Sequence, residues 1–120
     1  MLTKVKDPVS KFQQPNVIYQ IPCKDCDKTY IGETSQNLKK RLSQHQLAIR
    51  NGNIHHSGAV EHHIQENHVM NFNDTKIICR NQVNWKERKL TEAMKIFQNP
   101  NNCNRDSGTM ISEIYRPVLR

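Results

Sequence analysis

Val17-Ile18-Tyr19 and Tyr30-Ile31-Gly32 are two β-rich triplets whose tyrosines stand eleven positions apart, and Cys23-Lys24-Asp25-Cys26 lies between them. β-Branched and aromatic residues suit a pleated surface, while Pro22 and Asp25 favour a turn, so residues 17–21 and 29–32 read as the strands of a hairpin. The connecting loop is longer than a two-residue turn and holds both cysteines. Any fold compatible with this segment therefore puts two phenols on neighbouring strands beside a pair of thiols.

The remaining pattern alternates short strands with helices. Thr34 or Ser35 can cap a helix whose apolar residues Leu38, Leu42 and Ile49 share one stripe, and Asn51-Gly52 ends it. Ser57 can cap a shorter helix running through Ala59, Val60 and Ile64 to about Asn67. Residues 76–80 form a third strand candidate, and Asn84 caps a helix over 85–98 that Pro100 terminates. The run at 99–102 reads as loop, and Ser112 can open a last short turn. This order predicts a small α/β domain with a three-stranded, mainly antiparallel sheet flanked by helices. Residues 1–15 carry Pro8 and Pro15 without a sustained period and read as a linker or tail from a longer parent chain, leaving 16–120 as the domain.

A chain of 120 residues has room for one modest core, and with 35% hydrophobic residues it would gain from a bound metal. The four cysteines are too few and too irregular for a secreted disulfide framework, so the C-x2-C step points to metal binding or redox work in a reducing compartment. Cys23 and Cys26 with His62 and His68 would give the four N and S donors of a closed zinc site. The H-x5-H spacing and the 35 residues between the pairs depart from an ordinary zinc finger. His63 is an alternative to His62, and His55 and His56 are also available. Cys79 and Cys103 are left as free thiols. No apolar run approaches the roughly 18 residues that span a bilayer, so no membrane role is expected and the chain is placed inside the cell.

Eighteen Lys and Arg against eleven Asp and Glu give a formal +7, which favours a polyanionic partner. Arg41 and His45 lie four apart on the basic helix and so share a face bordering its apolar stripe. A guanidinium there needs an anion, and its fork of donors suits phosphate oxygens. Lys39, Lys40 and Arg50 read as solvated charges available to backbone phosphates. Glu92 falls beside Ala93 and Ile96 on the inner face of the helix at 85–98, so its carboxylate needs a cation. Arg88, one turn earlier, could supply it or bind DNA; a divalent ion is the other partner, since Mg²⁺ often takes only one or two protein carboxylates. Asn104 opens the polar stretch 104–108, where it could start a turn or fasten the tail to the helix carrying Glu92.

Taken in order, Val17-Ile18-Tyr19, Tyr30-Ile31-Gly32, Arg41, Glu92 and Asn104 resemble the GIY-YIG nucleases over about residues 16–108. Cys23-x2-Cys26, His45, Glu61-His62 and Asn67-His68 resemble the subgroup at the C-terminus of Penelope-like retroelement reverse transcriptases. The resemblance implies that Tyr19 and Tyr30 are active-site phenols, that Arg41 steadies the phosphate and that Glu92 holds one Mg²⁺ or Mn²⁺. It makes Asn104 the late polar position, Gly32 a point of close packing between the second strand and first helix, and His45 a base or orienting group. Val17 stands where the first triplet has glycine. The implied activity is a DNA endonuclease, with Tyr19 or His45 as base and nearby cations lowering the phenol's pKa. Implied with it are a reverse transcriptase domain in the same parent chain, a nuclear location, and a monomer or transient dimer on DNA. A noncatalytic zinc-stabilised DNA-binding module shares the basic helix and the cysteine-histidine set but requires nothing of Glu92 or the tyrosines; RNA is a further candidate substrate.

Overall fold

β-Branched and aromatic runs in this chain do pair as strands. In the computed structural model, which describes residues 10–104, β1 (Val17–Pro22) and β2 (Thr29–Thr34) form the hairpin. They are antiparallel, with Tyr19 opposite Gly32 and Ile21 opposite Tyr30. β3 (Lys76–Cys79) pairs antiparallel with the other edge of β1, giving the order β2-β1-β3. The register slips between Ile18 and Tyr19, an irregularity on the strand that carries the first phenol. The expected α/β layer with an antiparallel three-stranded sheet is thus present. Residues 105–108 of the polar stretch expected at 104–108, and the turn expected at Ser112, lie outside the described residues.

Alternation along β1 divides the core in two. Val17, Tyr19 and Ile21, with Tyr30 of β2, pack on Leu38 and Leu42 of α1 (Leu38–Arg50) and Ala59 of α2 (Gly58–Gln65). Ile18 and Ile31 face the opposite way and meet Ile96 of α3 (Trp85–Gln98). Burying each such side chain stabilises the fold by about 1.5–3 kcal/mol, so a one-residue slip of β1 would exchange both sets at a large cost.

Helix ends follow local chemistry. Ser57 accepts a hydrogen bond from the Val60 N–H and Asn84 one from the Glu87 N–H, as their sequence positions suggested. The first helix differs: Asn37 caps α1 by accepting from the Lys40 N–H, because β2 continues through Thr34 and leaves neither Thr34 nor Ser35 free to start a helix. Pro22, read as part of the loop, closes β1; its carbonyl still accepts from the Asn71 N–H. Residues 11–13, placed in the tail by composition, form a short 3₁₀ turn. Phe12 packs on the core and Gln14 accepts from the Leu38 N–H, so apolar contact and one backbone bond hold this stretch against α1.

The outer edge of β2 is covered by the chain that follows α3. The Thr29 N–H donates to Asn101 and the Cys103 N–H returns to Thr29. Asn104 then lays its side-chain amide on the backbone of Ile31, donating at 2.6 Å and accepting at 3.0 Å. This doubled bond imitates a ladder pair and masks an edge that would otherwise be open.

Candidate active site and metal centre

Tyr19, Tyr30, Gly32 and His45 meet at the centre of the α1-covered face. Tyr19 and His45 are fully buried, and the phenol oxygen lies 2.9 Å from His45 Nε2. His45 occupies the apolar stripe of α1 between Leu42 and Ala48, three and seven residues beyond Leu42 and Leu38, so helical periodicity delivers an imidazole to the core. Its Nδ1 is 3.0 Å from Ser57 Oγ, the oxygen that also caps α2. Tyr30 stands edge-on to His45, ring centroids 5.4 Å apart. Gly32 makes the arrangement possible: a Cβ there would lie 2.5 Å from the Tyr19 oxygen and 2.9 Å from Tyr30 Cε2. Its role is therefore to admit the Tyr19 ring across the hairpin, and not, as expected, to let β2 approach α1.

Electrostatics bring in two groups from elsewhere. Arg41, one turn before His45 and half-buried, lies close enough to Tyr19 and Tyr30 to interact electrostatically with both phenols, and it donates to Gln44 Oε1 at 3.0 Å. Burial disfavours its charge, but Tyr19, Tyr30 and Glu33 outweigh that and hold its pKa above the ordinary value. Glu92 arrives on α3 within electrostatic reach of Tyr19, Tyr30 and Arg41. Burial pushes its carboxyl up to about 7, Lys89 opposing and Glu33 reinforcing the shift.

Burial also raises Tyr19 well above the usual phenol range and raises Tyr30, with Arg41 only partly offsetting either. The expectation that neighbouring cations leave a lowered phenol is overturned in the protein alone, since desolvation dominates. His45 is pushed down to about 3, first by burial and then by Arg41 and His56. At neutral pH the pair is therefore an uncharged phenol bonded to an uncharged imidazole.

Two expected roles change. Arg88 neither pairs with Glu92 nor reaches the surface: it is 5% exposed, bonds the Glu33 carboxylate through Nε and donates to the Gln82 carbonyl at 2.9 Å. Lys89 holds the other Glu33 oxygen at 2.9 Å, and together they keep that carboxyl below its usual range despite its burial. Glu33, which the sequence reading passed over, faces α3 because it alternates with Gly32. Charge complementarity then draws Arg88 to it; Arg before Glu one turn apart is in any case the weaker helical pairing. Asn104 fastens to β2 rather than to α3. Lys39, Lys40 and Arg50 are exposed on α1, as expected of solvated charges.

The second centre lies at the far end of the hairpin. Donor atoms of Cys23, Cys26, His62 and His68 all fall within 4.8 Å of one another. Cys23 Sγ to His68 Nδ1 and Cys26 Sγ to His62 Nε2 are each 3.6 Å, and the two nitrogens are 3.3 Å apart. With Zn–S near 2.3 Å and Zn–N near 2.0 Å, a tetrahedron has S···N edges of about 3.5 Å and N···N edges of about 3.3 Å. The quartet could hold a metal such as zinc. Backbone pairing sets it up: the Lys24 N–H donates to Val69 at 2.8 Å, the Val69 N–H to Asp25 Oδ2 at 2.8 Å, and Asn67 at φ 57° turns the chain back after α2. His63, offered as an alternative ligand, lies outside the quartet, as do His55 and His56. The His56 ring instead stands edge-on to His45, centroids 5.1 Å apart. Cys79 and Cys103 are free thiols. Among the described residues no helix is long and apolar enough to cross a membrane.

The chain matches the family model described as the GIY-YIG catalytic domain over residues 15–102. No curated protein and no solved structure matched the chain.

Proposed function

The chain belongs to the GIY-YIG catalytic domain family, and from that premise we propose that it is a divalent-metal-dependent endonuclease that nicks DNA. The observation that carries this reading is the meeting of Tyr19, Arg41 and Glu92, remote in sequence, in one electrostatic neighbourhood. A half-buried carboxyl whose pKa is raised to about 7 suits a site that takes Mg²⁺ or Mn²⁺ through one protein carboxylate and fills the remaining positions with water and phosphate oxygens. Bound there by Glu92, the ion would supply charge stabilisation at the leaving oxygen.

The chain's own residues handle the proton. Because Tyr19 is a buried, neutral phenol, it cannot wait as a phenolate; it takes a proton from water only as it gives its own away. His45 Nε2 at 2.9 Å is the acceptor, provided that the ring's Nδ1–H donates to Ser57 Oγ and that the bound DNA phosphate, by pairing with Arg41, raises the low proton affinity the imidazole has in the free protein. The Val60 N–H already donates to that hydroxyl, which retains a lone pair for the imidazole. Water thus loses its proton to Tyr19 as Tyr19 passes one to His45, and the oxygen attacks phosphorus in line with the leaving group. Arg41 steadies the charge gathering on the non-bridging oxygens. On this scheme Tyr19 and His45 act in series, which replaces the choice between them.

Structural Zn²⁺ on Cys23, Cys26, His62 and His68 would fix the hairpin loop to α2, and through Ser57 would hold the tautomer of His45. One divalent-metal site cuts one strand per engagement. The likeness to the Penelope-like subgroup, carried by Cys23-x2-Cys26, His45, His62 and His68, supports a role in retroelement insertion. In that role a nuclear reverse transcriptase joined to this domain extends the exposed 3′ hydroxyl. The experiment is nicking of supercoiled plasmid with and without Mg²⁺. Arg41→Ala and Glu92→Ala should each abolish it while retaining DNA binding, and the product should be a polymerase-extendable 3′ end; undiminished cutting by either variant removes the assignment.

A further inference from the structure

The sole tryptophan of the chain, Trp85, is 62% exposed. It stands at the first turn of α3, where the Asn84 cap and the Arg88 to Glu33 bond keep the helix in place. Exposure alone is ordinary, since Val83 and Phe97 are more exposed; what distinguishes Trp85 is a flat aromatic face on a rigid element at the edge of a polar cleft. What it borders narrows the choice. Trp85 lines a cleft of about 270 Å³ with Arg41, Gln36, Gln44 and Lys89. Arg41 donates to Gln44, whose amide donates to Gln36 at 3.1 Å, so a hydrogen-bonded chain runs across the floor from the phosphate-binding arginine. The charges on this wall, Arg41, Arg88 and Lys89 against Glu33, leave it cationic, and Glu33 is already occupied by two of them.

A strand whose phosphate rests on Arg41 has this cleft beside it, because Arg41 lines the cleft as well. The groups awaiting the neighbouring nucleotide are then an indole face, two amides and a positive field. Those are the parts of a base-stacking platform, since every base has a π-face to lay on an aromatic ring and the backbone follows the cations. A base within intact duplex has no free face to offer. We propose that Trp85 stacks on an unstacked nucleobase next to the scissile phosphate, so that the preferred substrate is DNA unpaired or distorted at that step, such as a bulge or fork. This rests on the nuclease reading of the site.

A lone tryptophan makes the test direct. The full chain carrying Glu92→Gln is titrated with a duplex bearing two unpaired bases and with the matched perfect duplex, and binding is followed separately by anisotropy of labelled DNA. Tryptophan emission should be quenched in step with binding of the bulged duplex, which should bind about tenfold more tightly than the perfect one, one stacked base being worth that much or more. In Mg²⁺ with the catalytic residues intact, Trp85→Ala should raise KM for bulged DNA about tenfold with little change in kcat, and Trp85→Tyr should recover most of the loss. Bound DNA that leaves the emission unchanged, or Trp85→Ala with wild-type KM on a chain that nicks normally, overturns the platform and leaves the nuclease standing. Failure of the wild-type chain to cut any DNA removes the nuclease reading and this inference with it.

Discussion

Gly32→Ala tests the close approach on which the phenol's position depends. The added methyl would sit 2.5 Å from the Tyr19 oxygen and 2.6 Å from Cζ, with Tyr30 Cε2 at 2.9 Å. Ordinary carbon contacts begin near 3.5 Å, so the Tyr19 ring must move by about 1 Å. The ring is fully buried and bonded to His45 at 2.9 Å, so it cannot yield without stretching that bond and pressing on the core. Overpacking costs about 1–3 kcal/mol, and a weakened buried hydrogen bond about 1 kcal/mol more. A loss near 3 kcal/mol lowers the melting temperature by roughly 10–15 °C in a domain of this size. A 1 Å displacement of a reacting group costs about 100-fold in rate. Thermal melts and plasmid nicking measure the two effects. Gly52→Ala is the control, since its site has φ +70° but nothing within 4 Å, and it should cost about 1 kcal/mol with nicking intact. Wild-type melting and nicking in Gly32→Ala would refute the placement of Tyr19 across the hairpin.

Three further outcomes are expected. His45 has its pKa lowered to about 3 in the fold, so the unfolded chain binds the extra proton: its contribution is complete above about pH 6.5 and is lost as pH falls toward 3. Relative to His45→Gln, the wild-type chain should lose about 3 kcal/mol of stability between pH 7 and pH 4 by denaturant titration, and parallel pH curves would contradict the buried neutral imidazole. Elemental analysis of protein purified under reducing conditions should find one zinc per chain; chelation or Cys26→Ser should lower the melting temperature and nicking together, whereas zinc-free protein with full stability would dismiss the quartet as a metal centre. Arg88→Ala leaves the Glu33 carboxylate with Lys89 as its ion-pair partner and should cost about 1.5–3 kcal/mol in unfolding free energy, while the salt dependence of DNA affinity stays as in wild type because Arg88 is buried against Glu33. A stable Arg88→Ala with a shallower salt slope would return Arg88 to the DNA interface.

What the sequence made legible was what local chemistry decides. Ser57 and Asn84 precede helices and carry oxygens that satisfy free N–H groups, and the alternation in Val17-Ile18-Tyr19 announces a strand with two buried faces. The Cys23, Cys26, His62 and His68 set was legible because a metal site demands particular donor types. Contacts between distant elements were not. Glu33 looked like a strand-end carboxylate until α3 brought Arg88 and Lys89 to it, and Asn104 gave no sign that its amide would dock on Ile31. The α1 cap moved to Asn37 because pairing with β1 extended β2 through Thr34, a tertiary effect that overrides the capping preference of Thr34 and Ser35. Tyr19 was recognised as a phenol of interest, but its proton affinity depends on burial that no single-residue pattern reveals.

The claim that Arg41 and Glu92 act on one phosphate is tested most directly by a double-mutant cycle on single-turnover nicking in saturating Mg²⁺, with DNA bound in excess. Residues that serve one transition state act as a unit, so Arg41→Ala and Glu92→Gln should each lose about 1,000-fold or more, and the double variant should be little worse than the poorer single. Losses that multiply, or a single variant that cuts at the wild-type rate, would contradict the convergence.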